Sequence, residues 1–241
     1  MSQKKKLFVT SDIHGHCTIL KNALYEAGFD PANKDHLLVC CGDYFDRGDE
    51  NDQVLRYLES IENKVLLRGN HEDLLLDLLY SGKLQHHHFM NGTMNTVENF
   101  FGKYAAKPDG TVDFSGKTRV VDRMCDFIEG TADYFETKRF VFVHGWFPLV
   151  GKNLDGRKAV SRELWKKARW EGWHQHYQKE APLSDKTLVC GHIPASYASR
   201  FDLHRAPTDH SIFFGEGLIA LDACTAVSGK INVFVTEDEL L

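Results

Sequence analysis

Apolar residues along this chain fall in short runs whose spacing alternates between two periods. Leu7 to Thr10 and Leu37 to Cys41 are β-prone stretches of buried-strand length. Between them, Ile19, Leu20, Ala23, Leu24 and Ala27 recur at helical spacing within Cys17 to Ala27, and Gly28 supplies a stop. Val54 to Ile61 is again helical in period, Val65 to Leu67 is strand-like, and Leu74 to Leu79 is helical. Strand and helix in regular turn predict a parallel sheet with helices packed on its faces.

Residues 83 to 136 break that rhythm. Polar loops with two helices, near Thr96 to Phe101 and Arg119 to Ile128, predict a helical insertion or lid. Strand-like runs resume at Phe140 to Val143 and Leu188 to Cys190, flanking a helical stretch from Val160 to Trp173. Ser211 to Phe214, Leu218 to Leu221 and Ile231 to Val235 read as closing strands, separated by glycine turns. No Pro/Gly/Ser-rich linker divides the sequence. The expectation is one α/β domain over 1–241 with an insertion at about 83–136.

Composition changes this picture mainly by exclusion. The chain has 241 residues, 42% hydrophobic and 26% charged, with net charge −5. That balance, and the lack of a basic run after Lys4-Lys5-Lys6, argues against tight binding to a nucleic-acid backbone. The apolar run after those lysines breaks at Thr10-Ser11-Asp12, too soon for a signal peptide. No stretch reaches the ~18 apolar residues of a membrane span. Six cysteines lack paired metal or redox spacing, and Cys40, Cys41 and Cys190 sit in apolar runs as small hydrophobes. A soluble, cytoplasmic protein is expected.

Chemistry enters with position. Five polar clusters each follow a predicted strand: Asp12-Ile13-His14, Gly42 to Gly48, Gly69-Asn70-His71-Glu72, His144-Gly145 and Gly191-His192. In open α/β sheets ligands bind beyond the carboxyl ends of strands, so the clusters should converge. Pooled, they offer Asp12, His14, Asp43, Asn70, His144 and His192, oxygen and nitrogen donors without thiolate. Such a set suits manganese, iron or zinc. Six donors exceed the needs of one tetrahedral ion, whereas two ions about 3.5–4 Å apart sharing a carboxylate account for them. A lone Asp-x-His is usually a cap or turn. Gly-Asp-x-x-Asp-Arg-Gly followed by Gly-Asn-His-Glu is far more specific.

The blocks SDIHG, GDYFDRG, LLRGNHE, FVHG and VCGHIP, in this order from residue 7 to about 194, resemble the calcineurin-like metallophosphoesterases. They are most similar to the bacterial and phage branch of the phosphoprotein phosphatases, which includes symmetrical dinucleoside tetraphosphatases. The resemblance implies a four-layer sandwich of two mixed β-sheets flanked by helices. It also implies two divalent metal ions, manganese first and iron or zinc behind. By position, Asp12, His14 and Asp43 hold one metal, and Asp43 bridges to a second completed by Asn70, His144 and His192. His71 matches the general acid, Asp46 the carboxylate that orients it, and Arg47 a phosphate clamp. The GHIP block lacks the second His of the wider superfamily, which implies fewer protein ligands on the first metal.

A second clamp is expected at Arg169, with Arg157 and Arg162 behind it. His86-His87-His88 reads as a solvated loop rather than a metal tract. Trp165, Trp170, Trp173 and Tyr177 fall at helical spacing, which usually means core, with a nucleobase-stacking surface as the sharper alternative. The function these features imply is a serine/threonine-type or broad-specificity phosphatase acting on a phosphorylated protein or nucleotide. The alternative is a dinucleoside polyphosphate hydrolase. A non-catalytic metal- or phosphate-binding regulator is disfavoured because His71, a proton donor, stands beside every metal ligand.

Overall fold

The computed structural model describes residues 4–148, 160–178 and 186–241. Its first half follows the alternation of the sequence: β1 (Lys4–Thr10), α1 (Cys17–Glu26), β2 (His36–Cys40), α2 (Asn51–Ser60), β3 (Lys64–Leu66) and α3 (Asn70–Ser81). β1 pairs with β2 and β2 with β3, both in parallel. The side-chain period of two then decides the layering. Leu7 and Val9 of β1 point to the same side as Leu37 and Val39 of β2. Phe8, Leu38 and Cys40 point to the other, against Leu20, Leu24, Val54 and Leu58 of the helices.

Residues 83 to 134 hold α4 (His86–Met90), α5 (Thr93–Phe101) and α6 (Thr118–Glu129). α5 lies against α2, and α6 against α3. Val97, Phe101, Met124 and Ile128 thereby extend the same helix-side core. α4 corrects the expected solvated loop. His88 is fully buried, its Nε2–H donating to Leu74 O at 3.1 Å while Nδ1 accepts from Gln85 N at 2.8 Å. One histidine of the three is core, because its ring can satisfy both nitrogens within the helix packing.

The second half builds another sheet: β4 (Phe135–Glu136), β5 (Phe140–Phe142), β6 (Thr187–Cys190), β7 (Phe213–Gly215) and β8 (Leu218–Ala220), in the order β4-β5-β6-β8-β7. β5, β6 and β8 run parallel, while β4 and β7 pair antiparallel at the edges. β9 (Phe234–Glu239) returns to the first sheet, antiparallel to β1. A single parallel sheet, the reading of the strand–helix alternation, is therefore replaced by two mixed sheets. Periodicity shows that a strand is buried on both faces but not which strand it pairs with.

Phe140, Phe142, Val189, Ile219 and Leu221 meet Leu7, Val9, Leu37 and Val39 between the sheets. Burying such a side chain contributes about 1.5–3 kcal/mol, which lets strands of only three residues persist. Outside the second sheet lie α7 (Arg162–Ala168), α8 (Trp173–His176) and a 3-10 helix (Ala195–Arg200). The single helix expected from Val160 to Trp173 is thus two, since Gly172 adopts extended φ −88°, ψ 131° between them. The result is helix, sheet, sheet, helix: four layers, as the family resemblance implied. No described helix is long and apolar enough to cross a membrane.

Candidate metal centre

Each sheet delivers donors from the carboxyl ends of its parallel strands. β1, β2 and β3 lead to Asp12, Asp43 and Asn70, and β5 and β6 to His144 and His192. The turns that follow are tight. Among the described residues, eight non-glycine positions have positive φ, and six are Asp12, His14, Asp43, Asp46, Arg47 and His192. Left-handed backbone costs a side-chain-bearing residue energy, and such strain concentrates where geometry is held for chemistry.

The holding group is Glu72, in the first turn of α3. Its Oε2 accepts Asp43 N at 2.9 Å and Gly69 N at 2.8 Å, and its Oε1 accepts Tyr44 N at 2.9 Å. One carboxylate therefore locks the turn after β2 to the start of α3. Burial pushes that carboxyl up to about 8, and the Asp43 charge adds to it, while the three N–H donors pull the other way. Gly69 is a close approach: a Cβ there would strike Asp43 Oδ1 and the backbone nitrogen of Asp43.

Two ligand groups result, His14/Asp43/His71 and Asp43/His144/His192, each with donor atoms within 4.8 Å of one another, and Asp43 belongs to both. Asp12 Oδ1 stands 4.0 Å from His14 Nε2. Asn70 Oδ1 stands 2.8 Å from His144 Nε2. The six expected donors are therefore brought together.

The four imidazoles divide into two kinds. His14 Nδ1–H donates to Phe45 O at 2.9 Å, and His144 Nδ1–H to Cys41 O at 2.7 Å. His192 bonds the main chain of Trp170. A neutral carbonyl on one ring nitrogen fixes the tautomer that leaves the other free as a ligand. Burial lowers all three, His192 to about 4. His71 differs, since its Nδ1 faces Asp46 Oδ2 at 2.7 Å. Burial alone would lower it, but Asp43 and Asp46 together outweigh that and raise it.

Asp46 is itself held by α5. Thr93 Oγ1 donates to its Oδ2 at 3.0 Å and Thr96 Oγ1 to its Oδ1 at 2.8 Å, both from α5. α5 thus reaches the site through two hydroxyls. Arg47 is exposed, with Nη2 3.5 Å from His71 Nε2, and its backbone N–H donates to Gly92 O at 3.2 Å.

Arg169 lies close enough to the centre for its charge to help lower His144. Its Nε and Nη2 bond Asp73 at 2.8 and 3.1 Å, and its Nη1 bonds Asp133 at 2.6 Å, leaving the side chain buried and engaged. Two carboxylates therefore fix the orientation of the guanidinium. Arg162 is exposed at the start of α7, and Arg157 lies outside the described residues.

One acid was missed. Asp222 follows β8, so a sixth parallel strand also ends in a donor. The signal was available, because Leu218 to Leu221 runs into Asp222 much as Leu7 to Thr10 runs toward Asp12. Burial raises Asp222 to about 6. Asp12 is raised by burial and then by Asp222 and Asp43, whereas in Asp43 the imidazoles, His144 first, outweigh burial and hold the carboxyl low. Three buried carboxylates with neutral imidazoles form a charge deficit that divalent cations relieve, so the residues present fit the metals the resemblance implies.

The sequence profile of the calcineurin-like phosphoesterases matches residues 5–223. Serine/threonine-protein phosphatase 2 of Salmonella typhimurium is 37% identical over 199 residues, covering 82% of this chain and 84% of that protein. The symmetrical bis(5'-nucleosyl)-tetraphosphatase of Buchnera aphidicola is 32% identical over 104 residues, covering 43% of this chain and 34% of that protein. A match to serine/threonine-protein phosphatase 2 of Escherichia coli, 36% identical over 78 residues, covers 32% of this chain and likewise only 34% of the relative's length. Among solved structures, the cold-active protein-tyrosine phosphatase of a psychrophilic Shewanella shares the fold at TM-score 0.57 and 16% identity, covering 98% of this chain and 80% of that one. With the profile matched across both sheets and through the strand ends that carry the donors, the chain belongs to the calcineurin-like phosphoesterase family.

Proposed function

We propose that this chain is a dinuclear-metal phosphoesterase, acting as a serine/threonine-type or broad-specificity phosphatase. One observation carries the reading. Asp43 is shared by two ligand groups, and His71, alone among the four histidines, is held by a carboxylate. The first metal is assigned to Asp12, His14 and Asp43, and the second to Asp43, Asn70, His144 and His192. When bound, two divalent ions neutralise the phosphoryl oxygens and acidify the attacking water. Manganese suits the mixed carboxylate, amide and imidazole donors best.

The chain's own residues do the rest. Asp43 would serve as the ligand common to both ions. Arg47 offers a planar fork of donors to the phosphate from the exposed rim. His71, kept protonated by Asp46, gives its Nε2 proton to the departing alkoxide. Arg169, oriented by Asp73 and Asp133, is the second group assigned to the phosphate. The unpaired cysteines, four of them buried, suit a reducing cytoplasm.

A second reading, hydrolysis of dinucleoside polyphosphates, is favoured by Trp170, exposed beside His192. The test is a matrix of metals (manganese, iron, zinc, magnesium) against phosphoseryl peptide, 4-nitrophenyl phosphate and diadenosine tetraphosphate. Turnover of the phosphopeptide with manganese supports the proposal. Turnover of the tetraphosphate alone moves it to the second reading, and no turnover with any metal ends both.

A further inference from the structure

Three tryptophans lie within nine residues of chain, and they have different fates. Trp165 and Trp173 are core: Trp165 stacks on Tyr134 with centroids 5.3 Å apart, and Trp173 is fully buried against Phe213 at 5.6 Å. Trp170 remains 47% exposed. Its ring is 6.3 Å from that of the ligand His192, edge to face at 84°. A single exposed aromatic residue is ordinary on a protein surface. What sets this one apart is that its backbone is immobilised from three sides, beside the reacting centre.

Arg169, the preceding residue, is pinned by Asp73 and Asp133. The Trp170 main chain bonds the His192 ring. The carbonyls of Ala168, Arg169 and Glu171 pack onto Gly145 so closely that a Cβ there would lie 2.7–2.8 Å from all three. The residue after the ligand His144 therefore lacks a side chain where the Trp170 turn presses against it. An exposed indole on so firmly held a stretch of backbone, at the edge of a hydrolytic centre, is a stacking surface, since every planar aromatic group has a π-face to offer it.

We propose that Trp170 is a specificity-determining residue: its indole stacks on a planar aromatic leaving group, so that the site favours aryl and nucleoside phosphate esters over aliphatic ones. This rests on the phosphoesterase reading and names its substrate class. Stacking on an aromatic side chain is worth about 1–3 kcal/mol, or about 5- to 150-fold. Trp170→Ala should raise KM by such a factor for 4-nitrophenyl phosphate, phosphotyrosine and diadenosine tetraphosphate. kcat/KM for phosphoserine and glycerol phosphate should stay within about twofold, and Trp170→Phe should restore most of the loss. Equal losses on aromatic and aliphatic esters, or no loss on either, overturn the proposal. Metal content measured in each variant separates stacking from disturbance of His192, and a fall in metal with the activity also overturns it.

A binding readout keeps the inference separate from the function it rests on. Adenosine 5'-monophosphate added to the metal-loaded protein should quench tryptophan fluorescence in the wild type and not in Trp170→Phe. Identical quenching in both rejects the platform even if the enzyme is active. Selective quenching supports it even if no ester is turned over.

Discussion

Replacing Asp46 by Asn tests the proton donor without changing the shape of the site. Asp46 makes a 2.7 Å contact to His71 Nδ1 and accepts hydroxyls from Thr93 and Thr96 at 3.0 and 2.8 Å, with its side chain fully buried. Asparagine keeps the volume but removes the charge and one acceptor. A hydrogen bond to a charged group is worth about 1.5–3 kcal/mol, so losing the Asp46 charge should lower His71. The other anion near His71, Asp43 at 3.9 Å, is assigned to both metals and cannot substitute when they are bound.

The sign follows directly. Asp46 raises His71, and the acid form is the active one. Activity is therefore lost as pH rises through the His71 pKa, and in Asp46→Asn that alkaline limb moves to lower pH. An alkyl phosphate needs the proton, whereas 4-nitrophenoxide departs without it. At neutral pH kcat/KM should fall about 10- to 100-fold on the alkyl ester and only a few-fold on the nitrophenyl ester. The assay is a pH profile on both substrates, with metal content checked in each preparation. Equal losses on the two esters, or an alkaline limb that stays in place, would refute the proton-donor role.

Asp43→Ala removes the residue common to both ligand groups, and elemental analysis after dialysis should find less than one metal per chain. Two retained metals would exclude the bridge. Metal affinity, followed by chelator competition, should weaken as pH falls, as the raised Asp12, then Asp222 near 6 and His192 near 4, take up protons. Affinity unchanged down to pH 4 would remove Asp222 from the centre. Asp222→Asn should stabilise the chelator-treated protein by about 1–3 kcal/mol, since it relieves a buried carboxylate beside Asp12, and should weaken metal binding. Thermal unfolding with and without metal reads both, and lower stability without metal rejects the charge-deficit argument. Glu72→Gln should lower Tm through the turn after β2, where one carboxylate accepts three backbone N–H groups, at a cost of about 1.5–3 kcal/mol.

Much was fixed by local chemistry that a single chain displays. Alternating periods placed β1 to β3 and α1 to α3 to within a few residues, because burial imposes those periods on any strand or helix that packs. The donors were legible for a related reason: a parallel strand ends where backbone leaves the sheet, so polar residues after an apolar run face a common edge. Asp222 obeyed that rule and was overlooked only because its strand came late, among turns.

Other features belong to the tertiary structure. Which strands share a sheet depends on pairing across more than a hundred residues, as between β1 and β9, and no local pattern encodes it. His88 entered the core because Leu74 offered its ring a carbonyl, and Arg169 became fixed in direction because Asp73 and Asp133 lay within reach. The separation of His71 from its three neighbours rests on whether the second ring nitrogen meets a carboxylate or a carbonyl. Residue type is written in the sequence. The partner that sets a side chain's charge and direction exists only after the chain has folded back on itself.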